Sequence, residues 1–120
     1  ELLASQGTLE GFAREIVTFL APYDVVITPA LATRPVRIGE IHGKGPDPMD
    51  HYRRSGAFTP YTAICNVTGL PAISVPLYHG EDGLPLAVQL IGPPAREEVL
   101  LRVAAQLERE RPWADRRPDL

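Results

Sequence analysis

Apolar residues near the start of the chain recur at intervals of three and four. This spacing places them on one face of a helix, with Glu10, Arg14 and Glu15 toward water. Pro22 ends the pattern, because proline cannot donate the backbone hydrogen bond that a continuing helix needs. The pattern predicts an amphipathic helix with apolar positions Leu9, Phe12, Ala13, Ile16, Val17 and Leu20.

A short continuous apolar run follows at residues 24–29. Val25, Val26 and Ile27 are β-branched, and Pro29 closes the run. Such a run is typical of a strand buried on both faces, as in a parallel or mixed sheet beneath helices. It therefore predicts a strand with further elements on both of its sides.

Residues 30–57 show no hydrophobic periodicity and contain scattered glycine, proline, arginine and histidine. They predict a long loop, and loops of this length are often functional or mobile. Thr59-Pro60 then predicts a helix N-terminus, with Thr59 as the cap and proline at the first helical position. This helix is expected to run to about Val67 and to end at a left-handed Gly69.

The second half of the chain predicts a β-hairpin and a closing helix. The two strands are 72–77 and 86–91, separated by a turn that contains Gly80, Asp82 and Gly83. The closing helix presents Leu100, Val103, Ala104 and Leu107 before Pro112 stops it. The whole chain, residues 1–120, is expected to be a single segment of α/β or α+β class, with about three strands.

Composition narrows the classes of function. The chain is 44% hydrophobic and 22% charged, with a net charge of -3, so it lacks the positive charge of a nucleic-acid-binding protein. No apolar run approaches the roughly 20 residues of a membrane span. The single Cys65 excludes an internal disulfide and fits a reducing compartment, so a cytoplasmic location is expected. The chain begins with Glu1, which suggests a segment of a longer protein.

Candidate catalytic groups are sparse. No serine lies in a Gly-x-Ser-x-Gly motif, and Ser55 beside His51 is better interpreted as part of a polar loop. Cys65 is expected to be a small buried hydrophobe. The histidines lack a metal-ligand spacing, although Asp47 and Asp50 lie near His51 in the sequence. We therefore expect no catalytic residue, no metal and no cofactor in this chain.

Four short motifs follow one another along the chain. The first is the strand that ends in Thr28-Pro29, and the second is Phe58-Thr59 with the helix, turn and strand after it. The other residues of the four motifs are Asn66, Thr68, Gly69, Pro71, Ala72, Ser74, Pro76, Gly83-Leu84-Pro85, Gln89, Gly92, Glu97 or Glu98, Leu100-Leu101, Ala104, Glu108 and Pro112-Trp113. In this order they resemble the C-terminal part of the amidase-signature hydrolases. The resemblance covers nearly the whole chain, and residues 30–57 are its least diagnostic part.

The resemblance implies an α/β fold that is a C-terminal fragment of the amidase-signature fold, with about three helices packed on a small mixed sheet. That family hydrolyses carbon–nitrogen amide bonds with a Ser–cis-Ser–Lys triad. The triad lies N-terminal to the matched part, and the single Lys44 is outside the motif order. The resemblance therefore implies a fragment that is inactive alone and that helps to wall a pocket for a small amide. The residues it suggests for this wall are Thr28, Pro29, Phe58 and Thr59.

Two alternatives stay open on the sequence alone. The chain resembles equally a fragment of an amidotransferase A-type subunit, and it could instead be a non-catalytic binding or interaction module. A sheet cut from a larger one would also expose its edges, which can pair with a second copy of the chain. We therefore expect that homo-oligomers can form through the sheet edges.

Overall fold

The computed structural model describes residues 1–117, which form four helices and three strands. This confirms the predicted α/β class and adds one helix to the expected number. The elements in chain order are α1 Leu2–Leu20, β1 Val26–Pro29, α2 Asp50–Phe58, α3 Thr62–Thr68, β2 Ala72–His79, β3 Pro85–Ile91 and α4 Glu97–Glu110.

The three strands form one sheet in the order β1-β3-β2. Both pairings are antiparallel, with Thr28 opposite Gln89 on one side and Ser74 opposite Gln89 on the other. The predicted hairpin is confirmed, whereas the expected mixed sheet is wrong for the described residues. The reason is topological: β3 turns back along β2, and β1 then joins the free edge of β3 in the opposite direction.

The core lies on one face of the sheet, beneath α4. Leu90 is 0% exposed and packs with Val75, Leu100 and Ala104. Gly92 lets α4 approach closely, since a Cβ at this position would lie 3.1 Å from Cγ of Leu100. The amphipathic pattern of α4 therefore identified the side of this helix that faces the sheet.

Strand β1 differs from its prediction. It pairs only with β3, and its side chains alternate between partly buried and exposed, with Ile27 63% exposed. Burial on both faces is therefore wrong for this strand in the described part of the chain. A continuous β-branched run favours a strand, but it does not tell how many layers cover that strand.

The segment predicted as a loop contains α2. Its start is organised by Asp47, whose Oδ1 accepts a hydrogen bond from the Met49 backbone N–H at 2.8 Å, and Asp50 lies in the first helical turn. Thr59 consequently ends α2, with its N–H bonded to the Ser55 carbonyl, and does not cap α3 as predicted. The end of α3 follows its prediction, because Gly69 takes the left-handed conformation with φ of 71°.

Helix α1 begins seven residues before the predicted apolar pattern and has no buried residue. Phe12 and Phe19 are 56% and 71% exposed, and α1 packs mainly beside α3. The described part measures 50 × 44 × 18 Å, so it is a flat slab. Within residues 1–117, no helix combines the length and the apolar character that crossing a bilayer requires.

Replacing Leu90 with alanine should lower the free energy of unfolding by about 3 kcal/mol, because a fully buried leucine leaves a cavity. Leu101→Ala is the matched control, since Leu101 lies on α4 and is 62% exposed. That change should cost no more than about 0.5 kcal/mol. Urea unfolding followed by circular dichroism measures both, and equal losses would contradict the one-sided core.

Candidate functional site

A row of polar side chains crosses the sheet on the face opposite α4. Thr28, Gln89 and Ser74 are register partners in β1, β3 and β2, and register partners lie on the same face. Successive residues of a strand point to opposite faces. Because Leu90 faces the core beneath α4, Gln89 and its partners face the other side.

Gln89 is the buried centre of this row, at 5% exposure. Its Nε2 donates to Thr28 Oγ1 and to the Tyr61 carbonyl, each at 3.3 Å. A buried amide without partners would be costly, so both bonds hold the side chain in one orientation. The two hydrogen bonds tie β1 and Tyr61, the residue before α3, to the central strand.

A cavity of about 620 Å³ opens at the end of the polar row. Its walls are mostly apolar, and Ser74 and Arg34 supply a hydroxyl and a charged group. The lining residues are Pro29, Ala30, Leu31, Ala32, Thr33, Arg34, Ser74, Pro85, Leu86 and Ala87. Ser74 is exposed on its strand and lines this cavity.

Arg34 is held at the wall of this cavity by an ion pair. Its Nη2 lies 2.5 Å from Oδ1 of Asp82 in the hairpin turn, and that oxygen also accepts the Leu84 N–H at 3.1 Å. The hydrogen bond from Arg34 and then that from Leu84 lower the pKa of Asp82. Gly80 makes the pairing possible, because a Cβ there would collide with the guanidinium and lie 2.6 Å from the carboxylate.

The four residues predicted to wall a pocket lie in two places. Thr28 is part of the polar row and Pro29 lines the large cavity. Phe58 and Thr59 lie at the junction of α2 and α3, and Phe58 lines a separate cavity of about 250 Å³. The Ala32 N–H donates to the Phe58 carbonyl at 3.0 Å, so a hydrogen bond links this junction to the segment that follows β1.

Sequence reasoning missed Arg34 and the exposure of Ser74. Arg34 is 48 positions from its partner Asp82, and no local pattern signals such a contact. Gln89 did carry a signal, since an amide on an otherwise apolar strand needs a partner. In the turn after α3, Asn66 is exposed, and Thr68 Oγ1 accepts the Leu70 N–H at 3.3 Å.

Groups able to perform catalysis are not assembled in the described residues. Within 1–117 no serine hydroxyl hydrogen-bonds to a lysine or histidine side chain, and Ser5 donates to the Glu1 carbonyl at 3.2 Å. Cys65 is half-buried and not fully buried as expected, and this partial burial raises the pKa of its thiol. In the same range, no group of three or more metal-ligating side chains occurs. The site therefore offers a wall and polar contacts, and the hydroxyl of Ser74 in its lining has no lysine or histidine bonded to it among the described residues.

Comparison with known families gives a match over most of the chain. The family model described as Amidase matches residues 2–101. AmiB2 of Mycobacterium tuberculosis (strain ATCC 25618 / H37Rv) is 44% identical over 81% of this chain. The 6-aminohexanoate-cyclic-dimer hydrolase of Paenarthrobacter ureafaciens is 40% identical over 83%. This chain spans 21% of the length of each of these relatives.

Solved structures give the same result at the level of the fold. A 6-aminohexanoate cyclic dimer hydrolase superposes with a TM-score of 0.81 and 34% identity, covering 92% of this chain and 24% of that one. The A-type subunit of the glutamyl-tRNA(Gln) amidotransferase from Thermotoga maritima superposes with a TM-score of 0.72 and 26% identity. This match covers 94% of this chain and 23% of that one. The described elements therefore correspond to a C-terminal part of a larger fold of this type.

The bond between Gln89 and Thr28 can be measured by a double-mutant cycle. Gln89→Leu should lower the free energy of unfolding by about 1–2 kcal/mol, because it leaves the Tyr61 carbonyl without its donor. In the double variant Gln89→Leu with Thr28→Val, the loss of unfolding free energy should be smaller than the sum of the two single losses by about 0.5 kcal/mol. Ser74→Ala is the control: Ser74 neighbours Gln89 without a side-chain hydrogen bond, so these losses should add. If the losses add both with Thr28→Val and with Ser74→Ala, the hydrogen bond between Gln89 and Thr28 is contradicted.

The ion pair predicts the titration of Asp82. Arg34→Gln should raise the pKa of Asp82 toward its ordinary value of about 3.9. The hydrogen bond from the Leu84 N–H remains in this variant, so it should still lower the pKa in part. Since the folded-state pKa is lowered, the pair stabilises the fold above about pH 4, and the effect is lost as pH falls through the folded-state value. Carboxyl NMR titration measures this, and Arg53→Gln, which removes the partner of Asp47, should leave Asp82 unchanged.

Proposed function

The chain belongs to the amidase family, and from this membership we propose that its parent enzyme hydrolyses carbon–nitrogen amide bonds of small molecules. One observation carries the proposal: the family model covers residues 2–101. The superposition of a solved 6-aminohexanoate cyclic dimer hydrolase on 92% of the chain agrees with it. The relatives named 6-aminohexanoate-cyclic-dimer hydrolase act, as their name states, on the cyclic dimer of 6-aminohexanoate. A small amide is therefore the substrate class we propose here.

In this proposal the chain supplies sheet core and part of the substrate-pocket wall. Thr28 offers a hydroxyl oriented by buried Gln89, and Pro29 lies beside a largely apolar cavity. Such walls with few polar groups suit small organic substrates. Phe58 and Thr59 would contribute from the α2–α3 junction, which is fastened to the same segment. The nucleophile and its base would come from the rest of the parent enzyme, so this chain alone is inactive.

An amidotransferase A-type subunit is the second candidate. The likeness to the A-type subunit of a glutamyl-tRNA(Gln) amidotransferase supports it, with lower identity than the hydrolase shows. The two candidates differ in the fate of the ammonia, which an amidotransferase passes to an acceptor and a hydrolase releases. A stand-alone binding module is a weaker hypothesis, because the match to an enzyme family runs through nearly all elements.

Two further expectations concern the cell and self-association. A cytoplasmic location agrees with the single half-buried thiol of Cys65, and cell fractionation tests it. Direct binding of nucleic acid or membrane is not expected. The free edge of β1 could pair with a second copy of the chain. Light scattering that shows only monomers at high concentration would contradict such pairing.

The activity is tested with chromogenic aryl amides. The parent enzyme should release the arylamine, and the 120-residue chain by itself should not. In the parent enzyme, Thr28→Val should lower kcat/KM roughly three- to tenfold, the effect of one lost hydrogen bond. Thr8→Val is the matched control, since the Thr8 hydroxyl only donates to the Ala4 carbonyl on exposed α1.

The outcomes separate the claims from one another. Serine-dependent turnover by the isolated chain would overturn the claim that it is inactive alone. A parent enzyme that leaves aryl amides intact but transfers ammonia from glutamine would favour the amidotransferase. Equal effects of Thr28→Val and Thr8→Val would remove Thr28 from the pocket wall while leaving the amidase proposal in place.

A further inference from the structure

A second cleft lies away from the polar row, where the end of β2, the hairpin turn and the segment after α4 meet. We call it the hairpin-end cleft. Its volume is about 550 Å³, within the range of small-molecule sites. Its lining shares only Pro85 with the large cavity and consists of Pro76, His79, Gly83, Leu84, Pro85, Trp113, Arg116 and Arg117.

The charge of the hairpin-end cleft is positive, although the chain carries a net charge of -3. Arg116 and Arg117 both line it, and the lining contains no carboxylate among the described residues. Five other arginines form the ion pairs found among residues 1–117: Arg14, Arg34, Arg53, Arg54 and Arg96. The two guanidiniums of the cleft therefore have no acidic partner in the described part of the chain.

Arg116 is held in place by two contacts. Its Nη1 lies 2.6 Å from Nδ1 of His79, and its backbone N–H donates to the Trp113 carbonyl at 3.0 Å. A guanidinium can only donate, so Nδ1 of His79 accepts. Nη1 is therefore engaged with a ring nitrogen, and the remaining guanidinium N–H groups can bind an anion.

The floor of the cleft is apolar and includes one aromatic side chain. Trp113 is half-buried and packs against the core cluster, which fixes the indole. Pro76 and Leu84 complete this floor. Apolar lining residues that include an indole, beside two guanidiniums, match a ligand that has an aromatic ring at one end and a carboxylate at the other.

We propose that the hairpin-end cleft binds small aryl carboxylates, with the carboxylate on Arg116 and Arg117 and the ring against Trp113. Guanidinium binds carboxylate through a planar fork, which a neutral ligand cannot use. This site is separate from the polar row, and the proposal does not depend on the amidase activity.

Trp113 is the only tryptophan, so tryptophan fluorescence reports on the surroundings of this one side chain, which lines the hairpin-end cleft and the neighbouring cavity beside Glu110. Titration of the 120-residue chain with benzoate should give a saturable change in this fluorescence, and benzamide at the same concentrations should not. Arg116→Gln should weaken benzoate binding roughly tenfold, as expected for the loss of a charged hydrogen bond. Arg116→Lys should recover part of the affinity, since it restores the charge without the fork.

Arg102→Gln is the matched control, because Arg102 is an exposed arginine of α4 outside the cleft lining, and it should leave the affinity unchanged. Circular dichroism verifies that each variant is folded. Inorganic phosphate that binds as tightly as benzoate would overturn the requirement for a ring. Equal responses to benzoate and benzamide, or an unchanged affinity in Arg116→Gln, would overturn the site.

Discussion

Strand β3 carries hydrogen bonds to both of the other strands, and the rest of the sheet depends on it. Its consecutive residues point to opposite faces of the sheet. Leu90 is buried beneath α4, and Gln89 donates hydrogen bonds to Thr28 and to the carbonyl of Tyr61 at the start of α3. A slip of one residue in register would exchange these two side chains. The amide would then enter an apolar core and the leucine would lose its partners, so the alternation fixes the register.

The remainder of the slab is covered only in part. The radius of gyration is 17.1 Å, against about 14 Å for a compact domain of this length. Helix α1 exposes Phe12 and Phe19, and β1 exposes Ile27 and one hydrogen-bonding edge. Since the chain spans 21% of its relatives' length, these surfaces are where further parts of the fold would be expected to pack.

Local patterns predicted the hairpin, α4 and the left-handed Gly69, because strand alternation, helical spacing and turn chemistry are all decided by near neighbours. They did not predict α2, because its glycine and arginine residues leave no helical spacing of apolar residues. This helix starts after an Asx turn in which Asp47 accepts the Met49 N–H. They also failed for the layers over β1, because burial depends on what lies above a strand. In the candidate site, Gln89 was accessible from sequence, whereas Arg34 needed the fold to bring Asp82 to it.

Family membership and site geometry constrain function in different ways. Membership in the family supports the amide chemistry proposed for the parent enzyme, whereas the described residues bring no hydroxyl together with a lysine or histidine side chain. What the geometry adds is rigidity: Thr28 is oriented by an amide that the sheet itself immobilises. In the proposed pocket wall, residues on paired strands would need little reordering when a small amide binds, so little free energy would be lost to ordering. Differences in substrate choice among relatives are therefore expected to come from the loop segments around this wall and not from the row itself.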